Sequence, residues 1–275
     1  MKKHRYPPGL VFGTSVCLGL VLAVALGPLI VPFDPVRGEL TSRLMPPGGA
    51  HLLGTDSLGR DILARILKGG RLTLMMGSGA VLLSSTAGTA LGITAAYRGG
   101  WTDTVIMRAM DVMLALPGMF LAIAMVAILG TGLEKAMIAV AVHRIPAFAR
   151  VARGSTMSVL SLPYVEAARA AGSPTRRVVL RHLLPNIMNP IIVLGTISLG
   201  TCILSASSLG FLGLGAQPPD PEWGVMLSEA RVFLRVAPHT AMFPGLAIAI
   251  TVLGLNLMGD GLRDILDPRL RRSGV

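Results

Sequence analysis

The chain has 275 residues, of which 52% are hydrophobic and only 14% charged, with a formal net charge of +11 and a mean hydropathy of +0.67. Soluble domains carry about 25% charged residues, so this composition excludes an ordinary soluble domain and points to a membrane protein. In that setting the excess of Lys and Arg reads as charge collected in cytoplasmic loops, and no nucleic-acid partner is expected.

The first uncharged run, Leu10 to Pro32, follows the basic cluster Lys2, Lys3 and Arg5. Ala23-Val24-Ala25 offers a small-x-small cleavage pattern, but the run exceeds the roughly 7–15 apolar residues of a signal peptide. The reading is an uncleaved span with its N-terminus inside. Within the charged segment that follows, "LGTDSLGRD" (Leu53 to Asp61) reads as a short helix outside the membrane with internal Asp–Arg pairing, structural in role.

Further charge-free runs cover Leu72 to Tyr97, Val112 to Leu133 and Val236 to Gly259, each above the ~20 residues that cross a bilayer core. In the first of these, Gly88 and Gly92 have the x-x-x spacing of close helix packing. Ala136 to Ala152 is apolar except for His143, Arg144 and Arg150. Leu183 to Pro219 is uncharged but too long for one helix, and "GFLGLGAQPPDPEWG" marks its end. The expected fold is all-α, an integral membrane protein with six transmembrane helices and both termini cytoplasmic. Residues 1–70 form the tail, first helix and periplasmic segment, residues 71–260 the remaining transmembrane domain, and residues 261–275 a cytoplasmic tail.

With that orientation Arg98, Arg108, Arg150, Arg153, Arg169, Arg176, Arg177 and Arg181 lie inside, and Arg263, Arg269, Arg271 and Arg272 join them. The exceptions outside concentrate in the first loop, at Arg37, Arg43, Arg60, Arg65, Lys68 and Arg71, beside Asp34, Glu39, Asp56 and Asp61. Cys17 and Cys202 fall inside predicted spans without Cys or His neighbours at ligand spacing, so neither a disulfide nor a metal site is expected. The fifteen methionines read as filling of apolar helix surfaces.

Ionisable groups inside a span are costly and often functional. His143 and Arg144 are therefore candidates for a translocation pathway. The competing reading has Arg144 snorkelling or pairing with a carboxylate, and His143 as a satisfied helix residue. In the outward loop, Asp220, Glu222 and Trp223 are candidates for contact with a partner outside the membrane, against plain loop structure.

Between the fourth and fifth spans stands "YVEAARAAGSPTRRVVLRHLLPN" (Tyr164 to Asn186). Ser161 is expected to cap a first helix whose first turn holds Pro163. Glu166 then lies near the positive end of the dipole, and Gly172 ends the helix with a positive φ. Ser173 and Pro174 are expected to restart a second helix that runs to Pro185. A helix pair so short has no core of its own. Its small-residue face suits docking into a groove of another protein.

"EAARAAG" followed by "LLPN" resembles the cytoplasmic EAA signature loop, residues 161–185, of ATP-binding-cassette importer permeases. The matching positions are Glu166, Ala167, Ala168, Gly172, Leu184 and Pro185; His182 stands where the general pattern has an aliphatic residue. "HLLGTDSLGRDILARILKGGRLTL", "MRAMDVMLALP", "SLGFLGLGAQPPDPEWGVMLSEAR" and "NLMGDGLRDILDPRL" extend the resemblance to the shorter permease subunit of the dipeptide, oligopeptide, glutathione and nickel importers. The resemblance implies the type I importer permease fold in a bacterial inner membrane. It also implies a second homologous permease, two ATP-binding-cassette ATPases that use ATP and Mg, and a periplasmic substrate-binding protein. Glu166 to Gly172 would form the coupling helix. The arginines after it would supply rim charge to the ATPase or meet anionic membrane lipid.

No Gly-Lys pair occurs in the chain, so the phosphate-cradling loop of an ATPase is missing, and no cofactor is expected on this subunit. Di- or oligopeptides and glutathione are the expected substrates, with nickel as the alternative. An ion-coupled carrier would want a midplane carboxylate, whereas Asp103, Asp111 and Asp260 fall near predicted span ends. Asp111 and Asp260 are expected beside Arg108 and Arg263, and no enzyme motif is present.

Overall fold

The computed structural model describes residues 7–266; the basic cluster at Lys2, Lys3 and Arg5 and the tail after residue 266 lie outside the described residues. Among the described residues, ten α-helices run in order: α1 (Pro8–Ile30), α2 (Ile62–Arg98), α3 (Gly100–Ala115), α4 (Gly118–Leu129), α5 (Leu133–Leu160), α6 (Pro163–Ala170), α7 (Thr175–Val178), α8 (Leu184–Phe211), α9 (Trp223–Ala230) and α10 (His239–Leu266).

Four segments are long and apolar enough to cross a membrane: Pro8–Gly27, Ile62–Arg98, Thr175–Phe211 and His239–Leu266. Helices α3 and α4 qualify only together and bend by 96° at their junction. The third expected span, Val112 to Leu133, is thus interrupted at Pro117. Pro117 causes the break, because it has no N–H to donate and disfavours helical geometry at Leu116 before it, which is extended with ψ 133. Helix α5 has 28 residues, about 42 Å at 1.5 Å per residue, but its charged groups keep it below the same hydropathy standard. By length and apolar composition alone, the described residues hold four such helices, or five with the bent pair counted as one, against the six expected.

Helices α2 and α5 run side by side as the centre of the structure. Their approach depends on glycine. A Cβ at Gly88 would meet Phe148 Cβ at 2.6 Å, and one at Gly92 would meet the Ala149 carbonyl at 2.4 Å, so the expected close packing is present. Small buried residues (Ala80, Ala136, Ala139, Ala141) fill one core layer with Met76, Val126, Val140 and Leu209. In lipid the helices gain little from apolar burial itself, and close packing of small residues holds them together. Helix α8 lies antiparallel against α2 through Gly77 and Ile203, and α1 lies against α10 where Gly13 meets the backbone of Gly254 and Met258. The other faces of α1 expose Leu18, Val21, Leu22 and Leu26.

The segment 53–61 is not the expected helix. Gly54 and Gly59 take φ of 80° and 73° and turn the chain tightly, while Asp61 caps α2 by accepting from the Ala64 N–H at 2.8 Å. The Asp–Arg pairing is present, with Arg60 Nε 2.6 Å from Asp56 Oδ2. Near the other end of α2, Asp111 pairs with Arg150 at 2.6 Å instead of the expected Arg108. Arg153 grips Asp103 through two bonds of 2.5 Å each. Long-range packing of α3 on α5 thus overrides the neighbour in sequence.

Candidate functional site

The helix pair at 161–185 forms an exposed elbow. Helix α6 starts one residue later than expected: Leu162 is the cap position and no side chain caps the helix. The Ser161 hydroxyl instead donates back to the Ser158 carbonyl at 3.0 Å, which corrects its assigned role. Pro163 occupies the first turn as anticipated, and Glu166 lies in the same turn. Val165 is fully buried and packs with Ile93, Phe148, Val159, Val178 and Leu183. Glu166, Ala167, Arg169 and Ala170 are exposed.

Gly172 has φ +75°. Around it the Ser173 N–H donates to the Ala168 carbonyl at 3.1 Å and the Gly172 N–H to the Arg169 carbonyl at 3.0 Å. This pair of bonds is the Schellman closure, which needs a left-handed residue at that point. Helix α7 restarts at Thr175, with Pro174 as the cap position and no side-chain cap, so the expected start at Ser173 and Pro174 shifts by one residue.

The second helix does not stop at Pro185. Residues 179–183 form one π turn, closed by the Leu184 N–H on the Val179 carbonyl, and the chain continues through Pro185 into α8. A wider turn opens room where proline would clash with the preceding carbonyls. The Asn186 side chain donates to the His182 carbonyl at 2.6 Å. Leu184 is half-buried and Pro185 exposed. The elbow is thereby joined directly to a long apolar helix. Its other attachments are aromatic: Arg169 lies over the Tyr97 ring at 5.7 Å, and Tyr164 packs on His182 with ring centroids 6.0 Å apart. Behind it a cavity of about 550 Å³ separates α2 from the root of α8, walled by Thr89, Ile93, Tyr97, Thr175, Leu180 and Leu184.

At the opposite end, Asp220 is exposed but Glu222 and Trp223 are fully buried. The outward contact expected of those two side chains is corrected, because neither reaches the surface. Glu222 Oε1 accepts from Ser207 at 2.8 Å and Thr73 at 3.1 Å, and Oε2 accepts from the Val225 N–H at 3.1 Å. Trp223 Nε1 donates to the Ile66 carbonyl at 3.0 Å. Together they clamp the start of α9 between α2 and α8. Sequence reasoning also missed Glu229, which lies 2.9 Å from Arg60 and 2.7 Å from Arg65. Both arginines are buried, and no spacing signal connects residues so distant in the chain.

Within the helical frame, Arg144 Nη2 donates to the Thr201 hydroxyl of α8. His143 packs on the first residue of α4, where a Cβ at Gly118 would lie 2.0 Å from the imidazole. Arg144 Nε and His143 Nδ1 are buried and have no hydrogen-bond partner. Cys17 and Cys202 are free thiols.

Long apolar helices, with an exposed helical elbow at one end and a polar clamp at the other, define an all-helical membrane protein. The inward-facing MetNI methionine ABC transporter has a similar fold, with a TM-score of 0.58 over 74% of this chain and 96% of that one, at 20% identity. A family model described as "Binding-protein-dependent transport system inner membrane component" matches residues 88–272, and the chain belongs to that family, the inner-membrane permeases of ABC importers.

Among its relatives, the glutathione transport system permease protein GsiD of Pectobacterium atrosepticum is 49% identical over 92% of this chain and 84% of its own length. The dipeptide transport system permease protein DppC of Alkalihalophilus pseudofirmus is 45% identical over 98% of this chain and 88% of its own. GsiD of Escherichia coli is 52% identical over 82% and 74%. Nickel, the alternative substrate of the sequence reading, finds no support among these relatives.

Proposed function

We propose that this permease carries di- or oligopeptides or glutathione inward, as half of a pathway completed by a second, homologous permease in a bacterial inner membrane. Two separate ATPase subunits hydrolyse ATP with Mg, and a periplasmic binding protein delivers the substrate. The chain crosses the membrane six times with both termini cytoplasmic; α5 serves as a span sheltered by α2 and the bent α3–α4 pair as another. The names of the relatives support the substrate class.

Helix α6 is the coupling element, with Glu166, Ala167, Ala168 and Gly172 at the ATPase and Leu184 and Pro185 at the root of α8. The observation that carries this reading is the continuous run from the exposed elbow through the π turn into α8. A push on α6 crosses the closed turn at Gly172 to α7, and from there it passes through the π turn into α8 without a further loop. His143 and Arg144 line the pathway, and Asp220 remains a point of contact for the binding protein. Exchanging Glu166 for Lys tests the coupling. The variant should still insert but lose ATPase on gentle extraction and affinity purification; full retention of ATPase would move the contact elsewhere.

A further inference from the structure

We propose that Arg144 is the residue that receives the substrate's carboxylate midway through the membrane. The assignment rests on the peptide-or-glutathione reading, since those substrates all carry a free carboxylate. Arg144 lies roughly 16 Å along α5 from Leu133, and Thr201 roughly 15 Å back from the end of α8, at 1.5 Å per residue. In a hydrocarbon core ~30 Å thick, both are near the middle. A guanidinium at that depth demands a partner or a watery path.

Among the described residues Arg144 is in no ion pair; the acids of α3 are already held by Arg150 and Arg153. On α8 it meets the Thr201 hydroxyl and, beside it, the buried Cys202 thiol. Thr201 donates its own proton to the Ser198 carbonyl at 2.9 Å, so its oxygen faces Arg144 as an acceptor. That bond uses one of five guanidinium N–H donors, and Nε has no acceptor. Thr201 is exposed and Arg144 half-buried, with Nε enclosed, so a carboxylate would meet the guanidinium through its Nη groups.

The break in the α3–α4 pair adds a second positive feature. Helix α4 begins at Gly118 with no side chain capping its free N–H groups, and Gly118 abuts His143, the residue before Arg144. The positive end of a half-helix inside the membrane favours an anion. A planar guanidinium beside it presents two parallel N–H groups to a carboxylate. A lysine in the same place would keep the charge and lose the fork.

The test uses the complete importer, reconstituted in liposomes with its partner permease, ATPases and binding protein. Uptake of glutathione, of a dipeptide and of the same dipeptide as its C-terminal amide is compared for wild type, R144K, R144Q and T201V. The assignment predicts at least a tenfold loss of free-acid uptake in R144Q, a smaller loss in R144K and T201V, and unchanged uptake of the amide. Subunit assembly should stay at the wild-type level. Wild-type free-acid uptake by R144Q, or an equal loss for acid and amide, overturns the assignment. Should R144Q fail to assemble, R144K is read in its place, and wild-type free-acid uptake by R144K, or an equal loss for acid and amide, overturns the assignment. If the wild-type complex takes up none of the three probes, the substrate reading itself falls, and the assignment with it.

Discussion

Glu222 is a carboxylate buried without a cation beside it; three donors from α2, α8 and the first turn of α9 hold it instead. Its value lies in what those donors would otherwise lack, because a buried donor left unmade costs about 1–3 kcal/mol. Glu222→Ala should therefore destabilise the subunit by about 2–4 kcal/mol, from lost acceptors plus a lost helix cap. Glu222→Gln, which keeps one acceptor, should lose less. Thermal unfolding of the detergent-solubilised complex checks both, and equal stability of Glu222→Ala and wild type would remove the clamp from the account. The sequence shows Glu222 and Trp223 in a Pro-rich loop, where exposure is the natural expectation. Only the arrival of Thr73 and Ser207 from distant positions turns that loop inward.

At the scale of the element, the elbow was legible because its signals are local. Pro163 in a first turn and Gly172 at a left-handed closure follow from backbone preferences within a few residues. The continuation past Pro185 was not legible, since proline ordinarily ends a helix, and the π turn that absorbs it depends on how Val179 to Leu183 pack. The space around Gly172 is open, with nothing within 4 Å of an added Cβ, so a substitution acts there through φ alone. A β-branched side chain at φ +75° is strongly disfavoured. Gly172→Val should abolish uptake while the protein remains in the membrane at normal abundance, measured by transport in cells and membrane immunoblotting. Normal uptake would detach the bend from coupling.

For the whole molecule, the basic group in the first loop looked like an exception to the cytoplasmic charge bias. The structure gives two of its members a purpose: Arg60 and Arg65 are buried and share Asp56 and Glu229. That network ties the segment before α2 to α9, and Arg71 extends it to α1 by donating to the Val24 and Ala25 carbonyls at 3.0 and 2.7 Å. Removing one partner of a buried pair leaves charge uncompensated, at about 3–5 kcal/mol. Glu229→Ala should accordingly lower the unfolding temperature of the complex markedly and reduce membrane abundance. A double variant, Glu229→Ala with Arg65→Met, should recover part of the loss. An undiminished unfolding temperature in Glu229→Ala would show that the network is not structural.

The membrane class, the apolar helices, the elbow with its glycine bend and the glycine contacts of α2 follow from local sequence, because hydropathy and backbone preference are properties of short stretches. The tertiary structure decided which charges pair, which loop residues are buried and where α3 and α4 part. Those outcomes depend on residues many positions apart being brought within about 3 Å of one another, and no local pattern encodes that distance.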